Sequence, residues 1–147
     1  MTLLKSYYQL CKPNVVYMML ICAFVGMLLA EQTVSSYSYL FISLTGIALC
    51  AASAAAINQV VDREADASMT RTDQRPLPKG DLSVMHASIF AFVIGLLGAL
   101  ILYLYVNTLT MILTIGSLIG YAFIYTVYLK RATPQNIVIG GLAGAAP

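Results

Sequence analysis

Three long stretches of the chain contain no Asp, Glu, Lys or Arg, and this feature constrains the fold more than any other. They cover residues 13–30, 39–61 and 82–129. An apolar run of about 18 residues or more is long enough to cross a bilayer as a helix, and about 20 helical residues span the hydrocarbon core. The third stretch is too long for one crossing, so we expect it to fold back at the polar step 105–108.

The fold class that follows is all-α, a polytopic bundle of transmembrane helices. Unpaired backbone N–H and C=O groups are not tolerated in lipid, and a helix satisfies its own. Composition agrees, since 60% of the 147 residues are hydrophobic and 10% are charged, against roughly 25% charged in soluble domains. We predict one domain with four complete helices and the start of a fifth, over residues 13–30, 39–61, 84–105, 108–129 and 134–147.

The basic residues predict the orientation of these helices. With four crossings the connections alternate sides, and every Lys and Arg then falls on one side: Lys5, Lys12, Arg63, Arg71, Arg75, Lys79, Lys130 and Arg131. The positive-inside rule makes that side cytoplasmic, including the N-terminus and the connection between the second and third predicted helices. No transit segment is visible and Leu28 does not suit a cleavage site, so we expect a bacterial inner (plasma) membrane.

A row of polar residues ends the second predicted helix. Asn58, Asp62 and Asp66 are spaced four apart, which places them on one helical face over about two turns. Backwards at the same spacing the chain has only small residues: Gly46, Cys50 and Ala54. Small residues let membrane helices approach closely. We therefore predict that the row emerges from a tightly packed helix edge and points into the mouth of the bundle, away from lipid.

The chemistry that suits this row is the binding of a metal ion and a diphosphate. Mg²⁺ prefers oxygen ligands and is usually held by one or two carboxylates together with substrate phosphates. Asp62 and Asp66 supply carboxylates, and Asn58 supplies an amide. Positive charge follows a short distance along the chain, at Arg71, Arg75 and Lys79. Arginine donates two parallel hydrogen bonds to phosphate, and such a clamp neutralises the charge that builds on a departing diphosphate.

A simpler interpretation is a solvated helix face on which acids and bases pair four residues apart. It accounts for the basic residues, because a cytoplasmic connection is expected to be basic. It accounts less well for Asp62 and Asp66, since carboxylates at the membrane end of an uncharged helix are costly and usually functional. The row therefore favours a metal–diphosphate site, with the solvated face left open.

The remaining reactive side chains give weaker signals. Cys11, Cys22 and Cys50 have no CxxC spacing, and we expect them to be apolar fillers. His86 is the single histidine. We expect a structural role for it, although histidine also serves as an axial haem ligand.

The pattern Asn58-xxx-Asp62-xxx-Asp66 resembles the first aspartate-rich motif of the UbiA-type intramembrane prenyltransferases. Residues 69–80 read MTRTDQRPLPKG. They resemble, more narrowly, the branch that farnesylates haem, the protohaem IX farnesyltransferases or haem O synthases. Residues 12–16, KPNVV, and residues 125–147 agree with the same branch. The resemblance thus spans nearly the whole chain.

This resemblance implies an enzyme that transfers a farnesyl group from farnesyl diphosphate to the vinyl group of haem b, giving haem o. It implies that Asp62 and Asp66 bind Mg²⁺ with support from Asn58. The diphosphate would be bound by the following basic residues: Arg71, Arg75, Lys79, Lys130 and Arg131. The expected partners are farnesyl diphosphate, haem b and the lipid bilayer, with no nucleic acid.

Two alternatives to that function remain open at this point. One is a prenyltransferase of the same family with another aromatic acceptor, such as a quinone precursor. The other is a membrane transport or assembly subunit, although a transporter is expected to carry polar residues near mid-membrane. The family also carries a second aspartate-rich motif, and residues 1–147 contain no second copy of the first. We therefore predict that these residues alone are inactive.

Overall fold

The computed structural model describes residues 3–30, 36–70 and 72–122. Every regular element in these ranges is a helix: α1 (Leu3–Leu10), α2 (Pro13–Ala30), α3 (Tyr37–Ala67), α4 (Val84–Tyr105) and α5 (Thr108–Ile119). Two of them, α3 and α4, are long and apolar enough to cross a membrane, and α1 with α2 forms a third candidate span that is bent by 46°. The all-α fold class is confirmed.

The helix bounds agree with the sequence in part. Helices α2 and α4 coincide with the predicted ranges 13–30 and 84–105, and α5 begins at the predicted residue. Helix α3 begins at Tyr37 instead of 39 and runs to Ala67 instead of 61, so the whole polar row is helical. Helix α1 was not predicted. Residues 123–129 and the predicted helix 134–147 lie outside the described residues.

Side-chain caps explain why two of the helices begin where they do. The first backbone N–H groups of a helix have no intrahelical acceptor, and a Ser or Asn side chain before the helix supplies one. Ser83 Oγ accepts from His86 N at 3.2 Å at the start of α4. Asn107 Oδ1 accepts from Thr110 N at 2.7 Å at the start of α5. The chain therefore turns at the predicted residues 105–108, where the Asn107 side chain caps the new helix.

Helix α3 is central and packs most closely against α4. A Cβ added at Gly98 would lie 2.8 Å from both Cys50 Sγ and Gly46 O, so the two backbones are nearly in contact there. Further towards the C-terminal end of α3, at the same interface, Ser53 Oγ donates to Ala91 O at 2.7 Å. The predicted close approach of the small-residue edge is confirmed for Gly46 and Cys50.

The segment between α3 and α4 is packed against the helices. Leu77 and Leu82 from this segment join a buried cluster with Leu10 of α1 and with alanines of α3 and α4. Tyr7 and Phe90 lie beside that cluster, with ring centroids 4.7 Å apart. Helix α1 and the α3–α4 segment are thereby held over the C-terminal end of α3, where the polar row lies.

Candidate functional site

The three polar residues of the row are buried at the C-terminal end of α3. Asn58, Asp62 and Asp66 are 4%, 4% and 5% exposed, whereas Arg63 and Glu64 on the same turns are exposed. The row thus faces the protein interior, and charged residues on the other faces of the helix meet solvent. This arrangement does not fit a solvated face of interleaved charges, in which the carboxylates would be exposed.

The row does not share an edge with the small residues that pack on α4. Gly46 and Cys50 face α4, but Asn58 accepts a hydrogen bond from Lys12, which lies between α1 and α2. The prediction of one continuous edge is therefore wrong, and the reason is helical pitch. Every fourth residue is displaced by about 40° around a helix with 3.6 residues per turn, so Asn58 lies about 120° round from Gly46.

Asn58 joins the first carboxylate to a cation. Its Nδ2 donates to Asp62 Oδ2 at 3.0 Å, and its Oδ1 accepts from Lys12 Nζ. The amide is therefore oriented by a carboxylate on one side and an ammonium on the other. Lys12 is half-buried, so part of its charge lies inside the fold, beside the row.

Arg75 lies at the opposite end of the row. Its Nη1 is 2.6 Å from Asp66 Oδ2, with the arginine side chain 31% exposed and the aspartate side chain 7% exposed. Thr72 Oγ1 donates to Asp66 O at 3.0 Å, and Arg75 N donates to Thr72 O at 3.1 Å. These bonds fold the segment after α3 back over the helix end and bring Arg75 to Asp66.

Lys79 is the other predicted diphosphate-binding residue that the structure describes. Lys79 is exposed in the turns that follow Arg75, and no ion pair connects it to an acid within the described ranges. Arg71, Lys130 and Arg131 lie outside the described residues. Of the two described residues predicted to bind diphosphate, Arg75 and Lys79, the structure places Arg75 against a carboxylate of the row.

The donor set suits a metal ion that shares its coordination with a substrate. Asp62 and Asp66 present carboxylate oxygens from successive turns of α3. Among residues 3–30, 36–70 and 72–122 there is no group of three or more acidic, histidine or cysteine side chains able to hold a metal. Mg²⁺ fits such a site, because it is commonly bound by one or two carboxylates and completes its shell with phosphate oxygens and water.

His86 has the contacts of a helix cap. Its backbone N–H donates to Ser83 Oγ, and its Nδ1 lies 2.9 Å from the same oxygen. The side chain is exposed at the first turn of α4. These contacts agree with the structural role expected from the sequence.

Comparison with known proteins adds the family to this geometry. Residues 19–147 match the UbiA prenyltransferase family. The chain belongs to this family. Together with the long apolar helices α3 and α4, membership of the UbiA family makes the chain part of a multi-pass membrane protein. No solved structure matches it.

Several curated UbiA relatives are similar to nearly the whole chain. Protoheme IX farnesyltransferase 2 of Pseudoalteromonas atlantica is 58% identical over 97% of this chain and 47% of the relative. The protoheme IX farnesyltransferases of Shewanella oneidensis and Vibrio vulnificus are each 56% identical, over 97% of this chain and 48% of the relative. The chain spans about half the length of the curated relatives it matches.

Sequence reasoning missed two residues next to the row. Lys12 was used only to predict the orientation and as part of the KPNVV segment, and Gln59 was not singled out. Gln59 is 2% exposed, and its Nε2 donates to Gln9 O and Leu10 O, both at 3.0 Å. Both contacts join positions about 50 residues apart in the chain. Gln59 could have been found from the sequence, because it is a second amide directly after Asn58 at the end of the uncharged run 39–61.

Proposed function

We propose that the protein containing this chain transfers a farnesyl group from farnesyl diphosphate to haem b, and that the α3 row binds the diphosphate end of the donor. One observation carries the proposal: two buried carboxylates, Asp62 and Asp66, lie on one helix face with a cation at each end. The names of the relatives support haem as the acceptor and farnesyl as the transferred group.

In this proposal Asp62 and Asp66 hold Mg²⁺, which when bound neutralises negative charge on the diphosphate as it departs. Asn58 orients Asp62 through the 3.0 Å hydrogen bond between its amide nitrogen and the carboxylate. Burial lowers the effective dielectric constant around the two carboxylates, and this strengthens their attraction for a cation.

Arg75 and Lys12 are the cations that bind diphosphate in this proposal. The guanidinium of Arg75 uses one donor on Asp66 and has further N–H groups in a planar fork that suits phosphate oxygens. Lys12 places an ammonium at the Asn58 end of the row. Arg71, Lys79, Lys130 and Arg131 remain predicted diphosphate-binding residues.

The reaction then has a simple balance. The C–O bond between the farnesyl group and the diphosphate breaks, and both electrons leave with the diphosphate. A carbon of the haem vinyl group forms the new C–C bond. Water adds to the other vinyl carbon and loses a proton, which completes the hydroxyethylfarnesyl group of haem o. The row stabilises the leaving diphosphate and has no part in forming the C–C bond.

In this proposal the C-terminal end of α3, which carries the row, lies at the cytoplasmic face of a bacterial inner membrane. Lys12, Arg63 and Arg75 lie together at that end, which is the distribution that the positive-inside rule associates with the cytoplasm. A Lys79→Cys variant should react with a membrane-impermeant maleimide in inside-out vesicles and not in intact spheroplasts. The reverse labelling would invert the orientation.

The reaction is tested with the complete gene product in membranes. Membranes are incubated with haem b, farnesyl diphosphate and Mg²⁺, and haem o is sought by mass. Formation of haem o that depends on Mg²⁺ is the expected result. Prenylation of another aromatic acceptor, with haem unchanged, would retain the family reaction and replace the acceptor. Absence of prenyl transfer to any acceptor by folded protein would favour a transport or assembly role.

A further inference from the structure

The α1–α2 elbow, which consists of Cys11 and Lys12, has an unusual backbone. Among the described residues other than glycine, Lys12 alone has a positive φ, of 49°. Side chains with a Cβ disfavour this left-handed region, and a helix that ends there usually does so with Gly or Asn. Lys12 O accepts from Val15 N at 2.9 Å and from Val16 N at 3.2 Å. The elbow is therefore fixed on its α2 side by the first turn of that helix.

Gln59 fixes the α1 side of the elbow. The last carbonyls of a helix have no intrahelical donor, and Gln59 Nε2 donates to two of them, Gln9 O and Leu10 O, at 3.0 Å each. Gln9 O also accepts from Lys12 N at 3.2 Å. The buried Gln59 side chain thus reaches from α3 to the residues that immediately precede the elbow.

Only the donor end of the Gln59 amide is used. Its Oε1 is buried and has no hydrogen-bond partner among the described residues. A buried acceptor without a partner is destabilising, so general stabilisation is a weak reason to have glutamine at this position. The role of Gln59 therefore lies in the two hydrogen bonds that its Nε2 donates to the residues just before the elbow.

Lys12, the left-handed residue of the elbow, connects the elbow to the polar row through its side chain. Glycine at position 12 would adopt the same backbone with less strain, so a lysine adds only its side chain. That side chain donates to Asn58, the neighbour of Gln59 on α3 and the partner of Asp62. Asn58 and Gln59 therefore hold the side chain and the backbone of the same elbow.

We propose that Gln59 is a positioning residue, which holds the α1–α2 elbow so that the Lys12 ammonium lies at the Asn58 end of the diphosphate site. This inference rests on the proposed function of the row. Gln59 does not contact the ligand, and its effect on diphosphate affinity passes through Lys12.

The test is a double-mutant cycle on the complete gene product, purified in detergent. Gln59→Met keeps the size of the side chain and removes the donor, and Lys12→Met removes the ammonium. Affinity for inorganic pyrophosphate is measured by calorimetry in the presence of Mg²⁺, and KM for farnesyl diphosphate is measured in membranes. Loss of one charged hydrogen bond should weaken pyrophosphate binding about tenfold in Lys12→Met. Gln59→Met should weaken it by roughly fivefold, and by no further factor in the Lys12→Met background.

Ser53→Ala is the matched control, because it removes another buried α3 side-chain donor to a backbone carbonyl, away from the elbow. It should leave pyrophosphate affinity and KM unchanged. Lys12→Gly distinguishes the backbone conformation at position 12 from the charge of the side chain. Glycine adopts the positive φ without strain, so thermal stability should be kept, and pyrophosphate binding should fall as in Lys12→Met. Lys12→Arg should restore most of the affinity.

Three results would overturn the inference. The first is that Gln59→Met weakens pyrophosphate binding by the same factor in the wild type and in the Lys12→Met background. The second is that folded Gln59→Met binds pyrophosphate with wild-type affinity. The third is that Lys12→Gly does so. A protein that binds pyrophosphate with this pattern but transfers no farnesyl group to haem would disprove the proposed acceptor and leave the role of Gln59 supported.

Discussion

The two halves of α3 use the same four-residue spacing for different purposes. Gly46 and Cys50 in the first half bring α3 against the backbone of α4. Asn58, Asp62 and Asp66 in the second half face Lys12 and Arg75. The first half has no charged residue and is in close backbone contact with α4, whereas the second half carries three buried polar residues that are held by cations from other segments. We refer to them as the packing half and the polar half.

The comparison shows that residue spacing alone does not define a shared surface over several turns. The α4 interface continues from Cys50 to Ser53, which bonds Ala91, while the row with strict spacing of four rotates away from it. The packing half should therefore control stability, and the polar half should control ligand binding. Substitutions can test whether these two roles are separable.

The largest expected effect is on the chemistry of the polar half. Asp62→Asn in the complete gene product should lower the rate of haem o formation by about 10²- to 10³-fold, because a metal that neutralises the leaving group contributes several kcal/mol. Thermal stability should be retained, since the amide oxygen still accepts from Asn58. Glu64→Gln, an 84% exposed acid on the same turns, is the control and should keep full activity. Equal losses in both variants would contradict a metal site at Asp62.

The next effect is on the packing half. Gly98→Ala places a Cβ 2.8 Å from Gly46 O and 3.0 Å from Cys50 N, so α3 and α4 must separate. Overpacking of this kind costs about 1–3 kcal/mol, to be measured as a lower midpoint of thermal unfolding in detergent. Gly26→Ala, where a Cβ meets nothing within 4 Å, should unfold like wild type. A raised KM for farnesyl diphosphate in folded Gly98→Ala would show that the two halves are not separable.

A smaller effect distinguishes two arginines near the end of α3. Arg75→Met should lower kcat/KM for farnesyl diphosphate about tenfold, because a charged hydrogen bond from a partly exposed side chain contributes about 1.5 kcal/mol, the low end of the usual range. Arg63→Met is the matched variant, since Arg63 pairs with Glu64 at 3.0 Å on an exposed surface, where ion pairs contribute little. The kcat/KM of Arg63→Met should remain within about twofold of the wild-type value. If both variants lose activity alike, general surface charge and not the row binds the donor.

The smallest effect is the loss of one buried hydrogen bond in the packing half. Ser53→Ala removes the 2.7 Å bond to Ala91 O and should lower the free energy of unfolding by about 1 kcal/mol. Unfolding in increasing SDS measures this difference. No change in stability would mean that this hydrogen bond does not stabilise the contact between α3 and α4.

Much of this architecture was predictable because its causes are local. The uncharged run 13–30 gave the bounds of α2, and the polar step at residues 105–108 gave the end of α4, where the cap at Asn107 agrees with the predicted turn. The placement of Asn58, Asp62 and Asp66 on one face follows from helical pitch. Arg75 was predicted from its position shortly after the row, and the segment between them is short enough to fold back.

The contacts of the elbow were not predictable in the same way. Lys12 meets Asn58 across 46 positions of the chain, and α1 is too short to be recognised from its apolar pattern. Its C-terminus is held by Gln59 of α3, so the evident support for this short helix is tertiary. The cation at the Asn58 end of the row therefore escaped prediction.

The sequence by itself determined that the chain is helical, apolar enough for a membrane, and marked by two carboxylates and an amide on one helical face. Tertiary structure decided which groups that face meets. The reason is that periodicity fixes the angles between residues within a helix but not the rotation of the helix about its own axis. Close contact at Gly46 and Gly98 sets that rotation for α3, and the elbow and the α3–α4 segment then bring Lys12 and Arg75 to the row.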